Sequence, residues 1–156
     1  MKYVRVIIAV LLLFVLAACG SEQTEESVAA EAETTEGVVV SSDDIVQLIA
    51  DADPTNGEAL YNEMNATGFS CANCHNANNE DRLMGPGLLD IHTRAETRVE
   101  GQVAERYLYD SIVHPNEFIV QDTIAYSAGL MPQNYADVYS EEELYDIVAY
   151  LLTLGD

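Results

Sequence analysis

Basic residues are the scarcest functional class in this chain. Lys2 is its only lysine, and beyond Arg5 the cations are Arg82, Arg94, Arg98 and Arg106 alone. Against these six stand 27 acidic residues, a formal net charge of −21. Phosphate binding needs clustered Lys and Arg, so nucleic acid is excluded as a partner. So many carboxylates give a solvated surface at the least, and they can steer the molecule toward a basic partner. Tryptophan is absent, and there are only three cysteines, Cys19, Cys71 and Cys74. No internal repeat and no strong alternating pattern is visible, which argues against sandwiches, barrels and α/β layers and predicts an all-α domain. Long apolar runs are also scarce. The one continuous run, from Val6 to Ala18, is too short for a membrane span.

What is present begins with that run. Lys2 and Arg5 precede it and small residues close it, the pattern of a cleaved targeting signal over residues 1–18. Leu16-Ala17-Ala18-Cys19 resembles the lipobox of bacterial lipoproteins, which implies cleavage before Cys19 and a diacylglyceryl group on its thiol. An uncleaved anchor and plain cleavage after Ala18 are the alternatives, and each places the folded part outside the cytoplasm. Residues 19–42 turn to Ser, Glu, Thr and Ala, with six glutamates from Glu22 to Glu36 and little to bury. Such a stretch is expected to act as a disordered tether, spanning roughly 25 Å as a flexible coil.

Beyond these appendages the 156-residue chain leaves room for one domain, residues 43–156. Its chemistry centres on Cys71-Ala72-Asn73-Cys74-His75, a C-x-x-C-H run that is the attachment signature of c-type haem. Two sulfurs at this spacing can add to the two vinyl groups along one porphyrin edge, and the next residue offers an imidazole to the iron. A redox dithiol would be expected beside a βαβ pattern, which is missing. A zinc site would need two further ligands at metal spacing, and only His92 and His114 remain.

Around the pentapeptide the pattern is helical. Ile45 to Ile49 suggests a helical turn or two. Asp53-Pro54 reads as N-cap and first position of a helix running to about Asn65, with Ala59, Leu60 and Met64 on its buried face. Leu83-Met84-Gly85-Pro86-Gly87-Leu88 forces a turn. A helix from about Gly101 to Val113 is predicted, with Val103, Tyr107, Leu108 and Ile112 inward and Pro115 closing it. Asn116 to Asp137 is too polar and turn-rich for a long helix. Ser140-Glu141-Glu142-Glu143 is a capping box, followed by Leu144, Ile147, Val148 and Leu151 on one face.

Taken together, residues 54–155 resemble a class I, mono-haem cytochrome c. The resemblance is carried by Gly57, Leu60 and Tyr61, the Cys71–His75 run, Gly85-Pro86-Gly87-Leu88, Met131-Pro132 and the ending Val148-Ala149-Tyr150-Leu151. It implies three to five helices around one covalent haem c, with thioethers at Cys71 and Cys74 and His75 as proximal ligand. It further implies that the Pro86 carbonyl accepts the other imidazole N–H and that Met131 is the sixth ligand. Met131 is preferred to His114, which also precedes a proline. Met64 and Met84 are read as core. Gly57 and Leu60 would meet Leu144, Ile147 and Tyr150 where the first and last helices cross. With no tryptophan, the haem propionates must find other partners, and Tyr126, Tyr135, Arg94 and His92 are the candidates. The lysine ring of mitochondrial-type relatives is missing, so partner choice must differ from theirs.

The function these features imply is one-electron transfer at the outer face of a bacterial membrane, with no enzymatic activity. The expected partners are proteins of a respiratory or photosynthetic chain: a quinol-oxidising complex, a terminal oxidase or a photosynthetic reaction centre. A permanent cytochrome subunit of a larger oxidoreductase, and a gas sensor with a labile sixth ligand, are the alternatives. Docking would use apolar or uncharged residues such as Ala72, Asn73, Leu130 and Gln133, inside a rim of carboxylates that includes Glu141, Glu142, Glu143 and Asp146.

Overall fold

Ser140 opens the longest helix of the domain with both halves of its capping box in place. Its hydroxyl accepts from the Glu143 N–H at 3.3 Å, and its own N–H donates to Glu143 Oε2 at 2.8 Å. The computed structural model describes residues 41–155, all within one compact unit. The targeting segment, Cys19 and the tether up to residue 40 lie outside the described residues. Among the described residues there are six α-helices: α1 Ser42–Ala50, α2 Pro54–Asn62, α3 Ile91–Arg98, α4 Ala104–Val113, α5 Tyr135–Val138 and α6 Glu141–Leu152. A single 3-10 turn, Cys71–Asn73, follows α2, and no strand occurs among the described residues. The expected all-α class is therefore the observed one. None of these helices is long and apolar enough to cross a membrane.

The core is built on α6, whose Leu144, Ile147, Val148 and Leu151 are all buried, as the periodicity predicts. α2 crosses it more extensively than any other helix. That crossing depends on Gly57, where a Cβ would overlap the main-chain oxygen of Asp146 and come within 2.9 Å of the Tyr150 Cβ. One turn later Tyr61 is buried, with its ring 5.4 Å from that of Tyr150.

The buried face of α2 is thus Gly57 and Tyr61, and the expected face of Ala59, Leu60 and Met64 is corrected. Ala59 lies about 200° around the helix from Gly57 and is exposed. Leu60 is half-buried. Met64 is 73% exposed, because the helix ends at Asn62 and not near Asn65. Asn65 instead makes a side-chain turn, its Oδ1 accepting from the Thr67 N–H at 2.9 Å, and Gly68 takes φ 82° to complete it.

α1 is longer than a turn or two. Ser41 caps it, accepting from the Asp44 N–H at 3.2 Å, so helical structure begins inside the stretch assigned to the tether. Its Ile45 and Ile49, 1% and 2% exposed, pack toward α4 and α6. α4 starts at Ala104, later than expected, because Gly101 adopts φ 79° and breaks the chain direction. Val103 becomes its N-cap and is exposed, while Tyr107, Leu108 and Ile112 are buried. α3 was not foreseen. It has only Ile91 and Ala95 buried, too weak a stripe to register as a pattern.

Asp146 is a further correction. It belongs to no acidic rim: at 5% exposure it points under the start of α2. Its Oδ1 accepts from the Asp53 N–H at 2.7 Å and its Oδ2 from Asn56 Nδ2 at 2.8 Å. A carboxylate at a helix N-terminus also meets the positive end of the helix dipole.

Candidate functional site

The Cys71–His75 turn is held by its own backbone. Cys74 and His75 both donate their N–H groups to the Cys71 carbonyl, each at 3.0 Å. The Ser70 N–H donates to Asn73 Oδ1 at 2.9 Å, fixing the entry to the turn. α2 then reaches in from the side, with the buried Tyr61 hydroxyl donating to the His75 carbonyl at 2.6 Å. Burial raises the Tyr61 pKa, so the phenol keeps the proton this bond needs. Cys71 is pushed up to about 11, by burial first and then by Cys74 beside it, so its sulfur sits in an apolar setting as a neutral thiol.

The loop after the turn folds back on it. Gly85 donates its N–H to the Cys74 carbonyl at 2.8 Å, and Leu88 to the Asn76 carbonyl at 2.7 Å. These bonds bring the Pro86 carbonyl oxygen to 2.9 Å from His75 Nδ1. A carbonyl can only accept, so Nδ1 carries the hydrogen and Nε2 keeps its lone pair for a metal. Burial lowers the pKa of this imidazole, and the Pro86 bond opposes it. Burial prevails, and the neutral ring is the ligand form. Gly85 has no room for a side chain, since a Cβ there would come within 2.7 Å of Nδ1 and 2.8 Å of Nε2. The bare backbone lies close against the ring and restricts its rotation.

Above the turn opens a cavity of about 360 Å³. Cys71, Cys74 and His75 form part of its wall, together with Leu108 and Ile112 of α4 and Ile147 and Leu151 of α6. Met131 and Pro132 line it as well. Their segment has no helix of its own and is tied by Asn116, whose Oδ1 accepts from the Gly129 N–H at 2.8 Å and whose Nδ2 donates to Gln133 at 2.5 Å. His114 is exposed and does not line the cavity, its N–H donating to the Asp110 carbonyl at 2.7 Å. Met64 is likewise absent from the wall. Met84 does line it and is more than half exposed, 3.8 Å from the Cys74 sulfur, so neither methionine is the core residue expected.

Of the four candidate propionate partners, Tyr126, Tyr135 and Arg94 line the cavity. His92 does not, and lies 3.3 Å from the Leu154 carbonyl instead. Arg94 is held by the Gly87 carbonyl at 2.8 Å and by Glu80 at 2.6 Å. Arg98 also lines the cavity, which the sequence reading missed because α3, which carries it there, was not foreseen. The Tyr135 pKa is pushed up to about 12, chiefly by burial.

These residues fit a covalently held haem: two thiols and an Nε2 lone pair on one rigid turn, backed by a side-chain-free Gly85, at the wall of an apolar cavity. Among the described residues no group of three or more His, Cys, Asp or Glu could hold a bare metal ion, which speaks against the zinc reading. No curated protein and no solved structure matches the chain. A cytochrome c family model matches residues 54–155, from the first residue of α2 to the end of the described chain and leaving α1 outside. The turn, the cavity and that match agree, and the chain belongs to the cytochrome c family: it is an electron-transfer haem protein carrying one covalent haem c.

Proposed function

We propose that the protein is a class I, mono-haem one-electron carrier, held at the outer face of a bacterial membrane by a lipid on Cys19. It serves a respiratory or photosynthetic chain. The observation that carries this reading is the presence in one cavity wall of two complementary ligands. One is an imidazole whose Nδ1 is already bonded to the Pro86 carbonyl, and the other is the thioether of Met131.

Haem c, when bound, supplies one-electron Fe(III)/Fe(II) cycling, and Cys71 and Cys74 would hold it through thioether bonds. His75 offers Nε2 from a ring fixed by Pro86 and Gly85, since a carbonyl accepting the other ring N–H holds a ligating imidazole in one orientation. Met131 offers a soft sulfur, which favours Fe(II) and raises the potential relative to a second imidazole. Pro132 has a fixed φ and no N–H to bond elsewhere, which helps aim that sulfur. Two protein ligands leave no position for a substrate, which favours a carrier over an enzyme or a gas sensor. The exposure of His114 and Met64 supports Met131 over both as the sixth ligand.

The test is Met131→Ala in the oxidised holoprotein. Iron–methionine ligation in this family gives a weak near-infrared charge-transfer band. That band should vanish and the reduction potential should fall, as water or a harder ligand takes the position. An unchanged band in Met131→Ala, with loss in His114→Ala, would overturn the assignment.

A further inference from the structure

Arg82 sits on the loop between the Cys71–His75 turn and Pro86, yet it spends its polar contacts elsewhere. Its guanidinium carbon lies 3.7 Å from the centroid of the Tyr126 ring. Its Nη1 donates to the Ile124 carbonyl and lies 3.8 Å from Asp122 Oδ2. One side chain thus grips three residues within 122–126, on the far segment that also carries Met131. Asp122 and Tyr126 line the cavity and Arg82 does not, so its effect on the site passes through them.

The two sides it joins differ in firmness. The Arg82 loop is bound to the haem-attachment turn through the Gly85–Cys74 and Leu88–Asn76 backbone bonds, and through Leu83 N–H to the Gly85 carbonyl at 3.1 Å. The opposite segment has no helix between Asn116 and Asn134, and Ile124 near its tip is 69% exposed. Little apolar burial of its own holds that tip. Asn116 fixes the Gly129–Gln133 end, and Arg82 fixes the 122–126 end.

We propose that Arg82 is a positioning residue, a clasp that fastens the Met131 segment to the firm loop bearing Pro86. It thereby sets how readily an external ligand displaces Met131 in the cavity. The proposal rests on the reading of Met131 as sixth ligand. A guanidinium suits the role because its planar fork stacks on an aromatic face while donating in its own plane, which an ammonium cannot do.

Imidazole binding to the oxidised full-length holoprotein, followed by stopped-flow absorbance, measures displacement directly. Arg82→Ala should bind imidazole about tenfold faster or more, the change produced by removing about 1.4 kcal/mol from the opening barrier. Tyr126→Leu removes the stack and should be fast as well. Tyr126→Leu also serves as the second route should Arg82→Ala fail to load haem. Arg82→Lys keeps the charge near Asp122 without the planar stack and should remain fast. Lysine behaving as wild type would overturn the stacking clasp. So would rates for both Arg82→Ala and Tyr126→Leu within about twofold of wild type, a barrier change below about 0.4 kcal/mol. Met131→Ala separates the two readings. Were it to bind imidazole no faster than wild type, Met131 would not be the group displaced. A fast Met131→Ala beside a slow Arg82→Ala would refute the clasp alone.

Discussion

Replacing Gly57 by alanine sets helix propensity and packing in opposition. Within α2 alone the change should stabilise, since glycine costs about 1 kcal/mol relative to alanine in a helix interior. Against α6 it should destabilise. The new methyl would overlap the Asp146 main-chain oxygen, fall 2.5 Å from the Asp146 carbonyl carbon and 2.9 Å from the Tyr150 Cβ. None of these is the end of a flexible side chain that could turn aside, so the helices must move apart. Overpacking of this kind typically costs about 1–3 kcal/mol, occasionally more. Here the upper part of that range applies, because the obstacle is backbone. Setting about 3 kcal/mol of strain against about 1 kcal/mol of propensity leaves a net loss of about 2 kcal/mol. For a folded unit of this size that lowers Tm by roughly 5–10 °C. Guanidinium unfolding of the holoprotein, read by far-ultraviolet dichroism and by haem absorbance together, gives the value. Gly57→Ala as stable as wild type, or more so, would refute the close helix crossing.

Asp146→Ala should cost about 1–3 kcal/mol, because the Asp53 N–H and Asn56 amide lose a buried acceptor; an exposed-site effect below about 0.5 kcal/mol in the same unfolding assay would contradict its burial. The bimolecular electron-transfer rate with a basic partner should fall steadily across a salt series, since screening shortens to about 8 Å at physiological ionic strength. A flat or rising rate would mean that the 27 acidic residues only solubilise the chain. Cys19→Ser should block lipidation and signal processing alike, and stable anchoring takes the two acyl chains that the lipid on Cys19 would supply; mass spectrometry finding an unmodified mature N-terminus in the wild type would exclude the anchor.

The features that could be read from the sequence are those whose cause is local. Ser140 and Glu143 bond across three residues, Asp53 accepts from the Thr55 N–H across two, and the Cys71–His75 turn closes on itself, so each leaves its mark in a short window. The contact between Pro86 and His75 spans eleven residues and was accessible through the family resemblance. What escaped depends on distant partners. Asp146 looks like one more helix-surface carboxylate until the start of α2, 90 residues away, is laid over it. Tyr61 outranks Leu60 as the buried residue of α2 because Gly57 decides which stripe faces α6, and a glycine adds nothing to a hydrophobic pattern. α3 escaped for want of a stripe, and with it the placement of Arg98 at the cavity.

α1 has a mechanical consequence. It stands ahead of the segment that matches the family, with Ile45 and Ile49 set into the core beside α4 and α6. Any pull on the chain before Ser41 therefore loads these two side chains first, each resisting extraction by about 1.5–3 kcal/mol of burial. Only after α1 has peeled away would tension reach α2, which carries Tyr61 to the His75 carbonyl. Were the domain pulled through the anchor proposed on Cys19, α1 would act as a strain relief, absorbing the first work of pulling before the haem-bearing turn is disturbed.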